Sequence, residues 1–174
     1  RINLKSLKIQ EHLKNKKGIA DAKNSIGFIY KKTNQPENAL SYYLESLELR
    51  NEINDMHGIA TTLINIGVIY ENKGDSDKAL DFYLKSLEIE RKLQNQFGII
   101  ASLVNIGNIY KKNNQFSLAI KNINEAKKIA VKNKNPELIQ SASVLLFEIY
   151  EKTSDWEAAL QNFKLYVEMK DSLV

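Results

Sequence analysis

The strongest constraint on this chain is a period. Tyr30, Tyr70, Tyr110 and Tyr150 stand forty residues apart, and Ala39, Ala79, Ala119 and Ala159 keep the same step. A fixed spacing of this size means stacked copies of one supersecondary unit, and such stacks expose an extended surface rather than a catalytic pocket. The 174 residues therefore read as one continuous array.

Each copy holds two helical faces. Ala79, Leu80, Tyr83, Ser86 and Leu87 follow the spacing i, i+1, i+4, i+7, i+8, and Leu63, Ile66, Gly67 and Tyr70 make a second such face upstream. Strand alternation is absent. The register assigns 1–17 to the second helix of a truncated copy, with Leu4, Ser6 and Leu7 matching Leu44, Ser46 and Leu47. Full copies follow at 18–55, 56–95 and 96–134, and an atypical one at 135–174.

Breaks between the helices carry turn chemistry. They read Thr33-Asn34-Gln35-Pro36, Lys73-Gly74-Asp75-Ser76, Asn113-Asn114-Gln115-Phe116 and Thr153-Ser154-Asp155-Trp156. Asn and Gly at the second position suit a left-handed residue after a helix. Pro36 suits a first helical turn. Ser154 with Glu157 has the spacing of a capping box, and Asn135-Pro136-Glu137 reads as a helix start. Gly27, Gly67 and Gly107 are expected to admit a close neighbour, with the rings of Tyr30, Tyr70 and Tyr110 filling the adjacent space and each removing roughly 150–250 Å² from water. Trp156 is expected to pack at the start of the last helix.

Composition excludes several function classes. There are no cysteines, which removes thiolate nucleophiles, disulfides and thiolate zinc sites. His12 and His57 are the only histidines, each near a helix boundary, and their separation is not that of metal ligands. Asp75, Asp77 and Asp81 lack the glycine and distant glutamate of a calcium loop and read as helix-start charge. No nucleophile elbow, P-loop or dinucleotide fingerprint occurs. No enzyme activity and no cofactor is expected. No apolar run approaches the ~20 residues of a membrane helix, so no membrane insertion of this segment is expected.

The net charge of +4 is uneven: residues 1–34 carry nine Lys or Arg against two acidic residues. Only Arg1, Arg50 and Arg91 are arginine, whereas base readout and bidentate phosphate contacts favour arginine. Solvated lysine faces are the reading adopted, without a nucleic-acid partner.

The pattern resembles the tetratricopeptide repeat. Ile66-Gly67-x2-Tyr70 matches its L-G-x2-Y segment, Ala79-x3-Tyr83 its A-x3-F segment, and Ser46, Ser86 and Ala126 its later small position. The leading Trp is replaced by Lys23, Leu63, Leu103 and Ser143, the terminal proline is missing, and about six extra residues lengthen each pair by roughly one and a half turns. This long variant is similar to the repeats of kinesin light chains, and to those attached to bacterial sensor histidine kinases and transcriptional regulators. In the fourth copy Phe147 replaces the close-approach glycine and Tyr166 the small residue, as expected of an array end.

The resemblance implies an all-α, α-α superhelix of antiparallel helix pairs, whose first helices line a concave groove for a protein or peptide ligand. Carried over position by position, the groove takes Asn24, Phe28 and Lys31 from the first full copy, and Ile64, Asn65 and Val68 from the second. Val104, Asn105 and Asn108 come from the third and Glu148 from the fourth. Asn65 and Asn105 would hydrogen-bond a peptide backbone, although asparagines there also suit bridging between helices. The carboxylate-clamp positions hold Asn24, Ala101 and Asn105, so no clamp is expected. The resemblance also implies an interaction segment of a larger bacterial signalling protein, in the cytoplasm, or in the periplasm if it senses for a membrane-anchored kinase. The alternative is a spacer or homo-oligomeric self-association module.

Overall fold

The computed structural model describes residues 2–171, with the side chains of 2–4 and 6 left aside. Leu4 and Ser6 of the truncated copy thus lie outside the described side chains. The described residues form helices α1 (Ile2–His12), α2 (Lys16–Lys32), α3 (Pro36–Glu52), α4 (Met56–Asn72), α5 (Ser76–Lys92), α6 (Gln96–Lys112), α7 (Phe116–Lys132), α8 (Pro136–Lys152) and α9 (Trp156–Asp171). The fold is all-α, built as a solenoid from the antiparallel pairs α2/α3, α4/α5, α6/α7 and α8/α9. Two compact units divide it, Arg1–Gln94 and Asn95–Val174.

The helices from α2 to α8 are each 17 residues long and begin every twenty residues, half the period visible in the side chains. One backbone device repeats at each joint. Lys14, Asn34, Asn54, Gln94, Asn114, Lys134 and Ser154 all have φ between 51° and 58°, and Gly74 has φ 81°. The next amide then reaches back five residues, as in Gln35 N–H to Tyr30 O at 2.9 Å, Asp55 to Arg50 O at 2.9 Å and Asp155 to Tyr150 O at 2.9 Å. This is a Schellman stop, which satisfies carbonyls left open at the helix end.

The residue after the left-handed one starts the next helix. Asn15, Asp55, Asp75 and Asn135 accept from the backbone N–H three residues on, at 3.0–3.1 Å. The capping box expected at Ser154 is not formed, because Ser154 carries the left-handed turn. Asp155 caps α9 instead, accepting from Ala158 N at 3.2 Å.

Packing within a pair depends on a glycine meeting a ring. A β-carbon on Gly27 would lie 2.8 Å from the Tyr43 ring, one on Gly67 2.5 Å from the Tyr83 ring, and one on Gly107 2.6 Å from Ile123. The fully buried rings are therefore Tyr43 and Tyr83 on the second helices. Tyr30 and Tyr70, expected to fill that space, are half-buried and stack on Tyr42 and Phe82 with centroids 5.5 Å apart. They pack instead at the edge of the clusters between neighbouring helices, Tyr30 and Tyr70 against the cluster of Ala39, Tyr43, Ile66 and Ile69.

Small buried hydroxyls join the two helices of a pair. Ser46 donates to Ala20 O at 2.8 Å, and Ser86 to Ala60 O at 3.0 Å. A buried hydroxyl needs such a partner. Pairs are joined to pairs by apolar clusters, one of Ala39, Tyr43, Ile66 and Ile69 in the first unit and one of Ala119, Ile123, Leu146 and Ile149 in the second.

Candidate functional site

The first helix of each pair presents a stripe that pair packing leaves partly open. In the first unit α2 and α4 supply it. Phe28 is 45% exposed, and the ammonium groups of Lys31 and Lys32 lie 4.9 and 5.5 Å from its ring centroid. Ile64 and Val68 are half-buried on α4. Asn65 Nδ2 donates to Asn24 Oδ1 at 3.2 Å, so this amide pair bridges α2 and α4. The bond uses one N–H of Asn65 and leaves the pair a carbonyl and further N–H groups with which to meet a peptide backbone.

Charge along this stripe is set locally. Lys31 is held below the ordinary lysine value, first by burial and then by Lys32. Glu71, one pair further on at the same register position, accepts from the Tyr83 hydroxyl at 2.8 Å. Burial, and then that hydrogen bond to a carboxylate, push the Tyr83 phenol well above its usual value. Lys31 cannot serve Tyr43 in this way. The Tyr43 hydroxyl is buried with no hydrogen-bond partner, and burial raises it to about 12.

In the second unit Val104, Asn105 and Asn108 of α6 are half-buried, and Glu148 of α8 is exposed. Lys111 Nζ lies 2.7 Å from Glu148 Oε2, linking α6 to α8 and neutralising the acid. The expected residues thus fall into two groups: Asn24, Phe28, Lys31, Ile64, Asn65 and Val68 in one unit, and Val104, Asn105, Asn108 and Glu148 in the other.

Arg50 went unread in the sequence. Its guanidinium, 7% exposed, lies 2.6 Å from Asp21 Oδ1 on α2, pairs with Asp55 at the start of α4, and donates from Nε to Ser46 Oγ at 3.2 Å. Burial opposes the charge on Asp55, yet the Gly58 N–H and Arg50 hold its carboxyl below the usual value. The available signal was a break in register: the other copies carry Glu90, Ala130 and Lys170 at that position.

Among the described residues no group of three or more His, Asp or Glu side chains is placed to hold a metal ion. No described helix is long and apolar enough to cross a membrane. What the stripes offer is apolar area with interleaved amides and isolated charges, which is chemistry for holding another chain.

Two family models, both described as tetratricopeptide repeat, match residues 18–92 and 100–133. The chain is a tetratricopeptide-repeat protein. Proteins of this kind are protein–protein interaction scaffolds, and the repeat chain is read as one. No curated protein matches its sequence significantly. Its fold is similar to that of aspartyl phosphate phosphatase F from Bacillus subtilis, with a TM-score of 0.88 at 13% identity over 91% of this chain and 42% of that one. It is similar also to apo RapI, with 0.86 at 20% identity over 94% and 45%. BtubC (BKLC) from P. vanneervenii gives 0.83 at 15% identity over 91% and 66%. At these identities the likeness is one of fold. The tetratricopeptide chain spans 42% to 66% of the length of these proteins.

Proposed function

We propose that the chain is the interaction segment of a larger bacterial signalling protein and binds a peptide along the first helices of its pairs. In the first unit Phe28, Ile64 and Val68 would take apolar side chains, the Asn24–Asn65 pair would meet the peptide backbone, and Lys31 would face an acidic group. Val104, Asn105, Asn108 and Glu148 would play the corresponding parts in the second unit.

The observation that carries this reading is the Asn65–Asn24 hydrogen bond beside half-buried Ile64 and Val68. It holds an amide pair in fixed orientation at the edge of an apolar strip, a pre-organised arrangement that lowers the cost of binding. The larger-protein part is supported by the long repeat and by similar folds within longer chains, among them one from Bacillus subtilis.

The test is selection of binders from a random peptide library on the intact chain, followed by calorimetry. Asn65→Ala with Asn105→Ala should weaken a selected peptide by roughly tenfold, the worth of one to two hydrogen bonds, while helicity is kept. Unchanged affinity in the double variant would refute the groove assignment. A chain that yields no peptide and self-associates in a light-scattering series would be a spacer or assembly module instead.

A further inference from the structure

The phenol of the second helix meets a different partner in each pair of the first unit. In α4/α5 the Tyr83 ring rests on Gly67 through Cδ1 and Cε1, and its hydroxyl donates to Glu71 Oε2 at 2.8 Å. In α2/α3 the Tyr43 ring rests on Gly27 through the same two atoms, so its hydroxyl is aimed one turn further along the first helix in the same way. The residue there is Lys31 instead of a carboxylate. Tyr43 is fully buried and its hydroxyl has no hydrogen-bond partner. A buried donor left in this state is costly.

Lys31 has lost its acid too. In the second unit the lysine at that register, Lys111, pairs with Glu148 of the next first helix at 2.7 Å, and Ile123 stands in the place of the tyrosine. In the first unit the residue that matches Glu148 is Val68. Among the described residues no carboxylate pairs with Lys31, whose ammonium lies 4.9 Å from the Phe28 ring centroid. Elsewhere in the chain, then, a carboxylate serves each position: Glu71 for the phenol and Glu148 for the ammonium. At the first pair a buried donor and a half-buried cation share one joint, and a single carboxylate would satisfy both.

We propose that Lys31 and Tyr43 together hold one carboxylate, the side chain of an aspartate or glutamate in the bound peptide, with the Lys31 ammonium as its counter-ion and the Tyr43 O–H as its hydrogen-bond donor. This rests on the peptide reading above and adds a specificity to it: an acidic residue beside the apolar one that meets Val68. A side chain suits the place better than a chain end. The hydroxyl lies beneath the stripe, and a carboxylate on a flexible stem reaches further than one fixed to the backbone.

The probe is N-acetylglutamate N-methylamide, added to the intact chain carrying 3-fluorotyrosine. The Tyr43 fluorine signal is assigned by its loss in Tyr43→Phe. A saturable shift of that signal is expected, with none from the glutamine analogue at equal ionic strength. N-acetylglycine, whose only carboxylate is terminal, should bind more weakly. Lys31→Met should weaken the glutamate probe by about fivefold, the scale of an accessible ion pair. Lys31→Glu supplies the carboxylate that Glu71 gives to Tyr83, so the Tyr43 signal should move without probe and cease to respond to it. A library-selected peptide should carry Asp or Glu at one fixed position. Tyr43→Phe should weaken that peptide by roughly tenfold, the worth of a hydrogen bond to a charged group, with no fall in melting temperature. No saturable shift, an equal shift with the glutamine analogue or N-acetylglycine, an unchanged response in Lys31→Met, or an unmoved signal in Lys31→Glu would overturn the proposal. A chain that selects no peptide yet answers the glutamate probe loses the groove reading and keeps this site. Selected peptides without an acidic residue keep the groove and remove the site.

Discussion

The Tyr83 ring occupies the volume that a side chain on Gly67 would need: a β-carbon there would lie 2.5 Å from the ring. The ring is fully buried and its hydroxyl is tied to Glu71, so it has no direction in which to yield. Gly67→Ala should therefore lower stability by about 1–3 kcal/mol, the usual cost of overfilling a packed core, despite the better helix propensity of alanine. Urea denaturation followed by circular dichroism measures it; an unchanged midpoint would show that the pair can spread without cost.

Tyr43 and Tyr83 share a register position but should respond in opposite ways to loss of the hydroxyl. Tyr83→Phe removes a hydrogen bond to a carboxylate and should cost about 1–2 kcal/mol. Tyr43→Phe removes a buried, unpartnered hydroxyl and should be neutral or stabilising by up to about 1 kcal/mol. Thermal melts of the two variants side by side check the sign.

Arg50 links three helices, with Asp21, Ser46 and Asp55 as partners. Arg50→Met leaves Asp55 largely buried without its cation, and should destabilise the first unit by about 3 kcal/mol. Hydrogen exchange of amides in 1–94 against those in 95–174 locates the loss. Equal loosening of both units would contradict the assignment.

The depressed Asp55 carboxyl gives a pH dependence with a definite sign. Its ordinary value is 3.8 and its folded value lies below that. The stabilisation is thus complete above about pH 4, where the unfolded chain's aspartate is already ionised, and is lost as pH falls through the folded value. Asp55→Asn should lower stability at neutral pH and flatten the acid limb of a stability-versus-pH curve below about pH 4. A parallel curve displaced by a constant amount would reject this linkage.

Much of the architecture was legible because helix pairs stacked in series repeat one environment at fixed spacing. Ala39, Ala79 and Ala119 are buried for the same reason each time, and so their spacing alone revealed the pairs. The twenty-residue half-period was not legible. Asn34, Gly74 and Asn114 announce a left-handed backbone, but Lys14, Gln94 and Lys134 adopt the same φ with side chains that give no hint of it. There the cost of about 1–2 kcal/mol is offset by helices on both sides and by the Schellman bonds.

The candidate groove was legible as a set of positions, since register assigns each residue to a helix and a face. Its chemistry was not. That Asn65 would meet Asn24, Lys111 meet Glu148, and Glu71 meet Tyr83 depends on distances across helices that spacing along the chain does not encode.

Order along the chain determined the helix pairs, their small contact residues and the class of surface, because those follow from the period of apolar side chains on a rod. Tertiary structure alone decided which tyrosine is buried, that Arg50 sits inside an acidic clasp, and that Trp156 lies open. Each of these turns on whether a neighbouring helix covers the side chain, and cover belongs to the assembled pairs, not to any single segment.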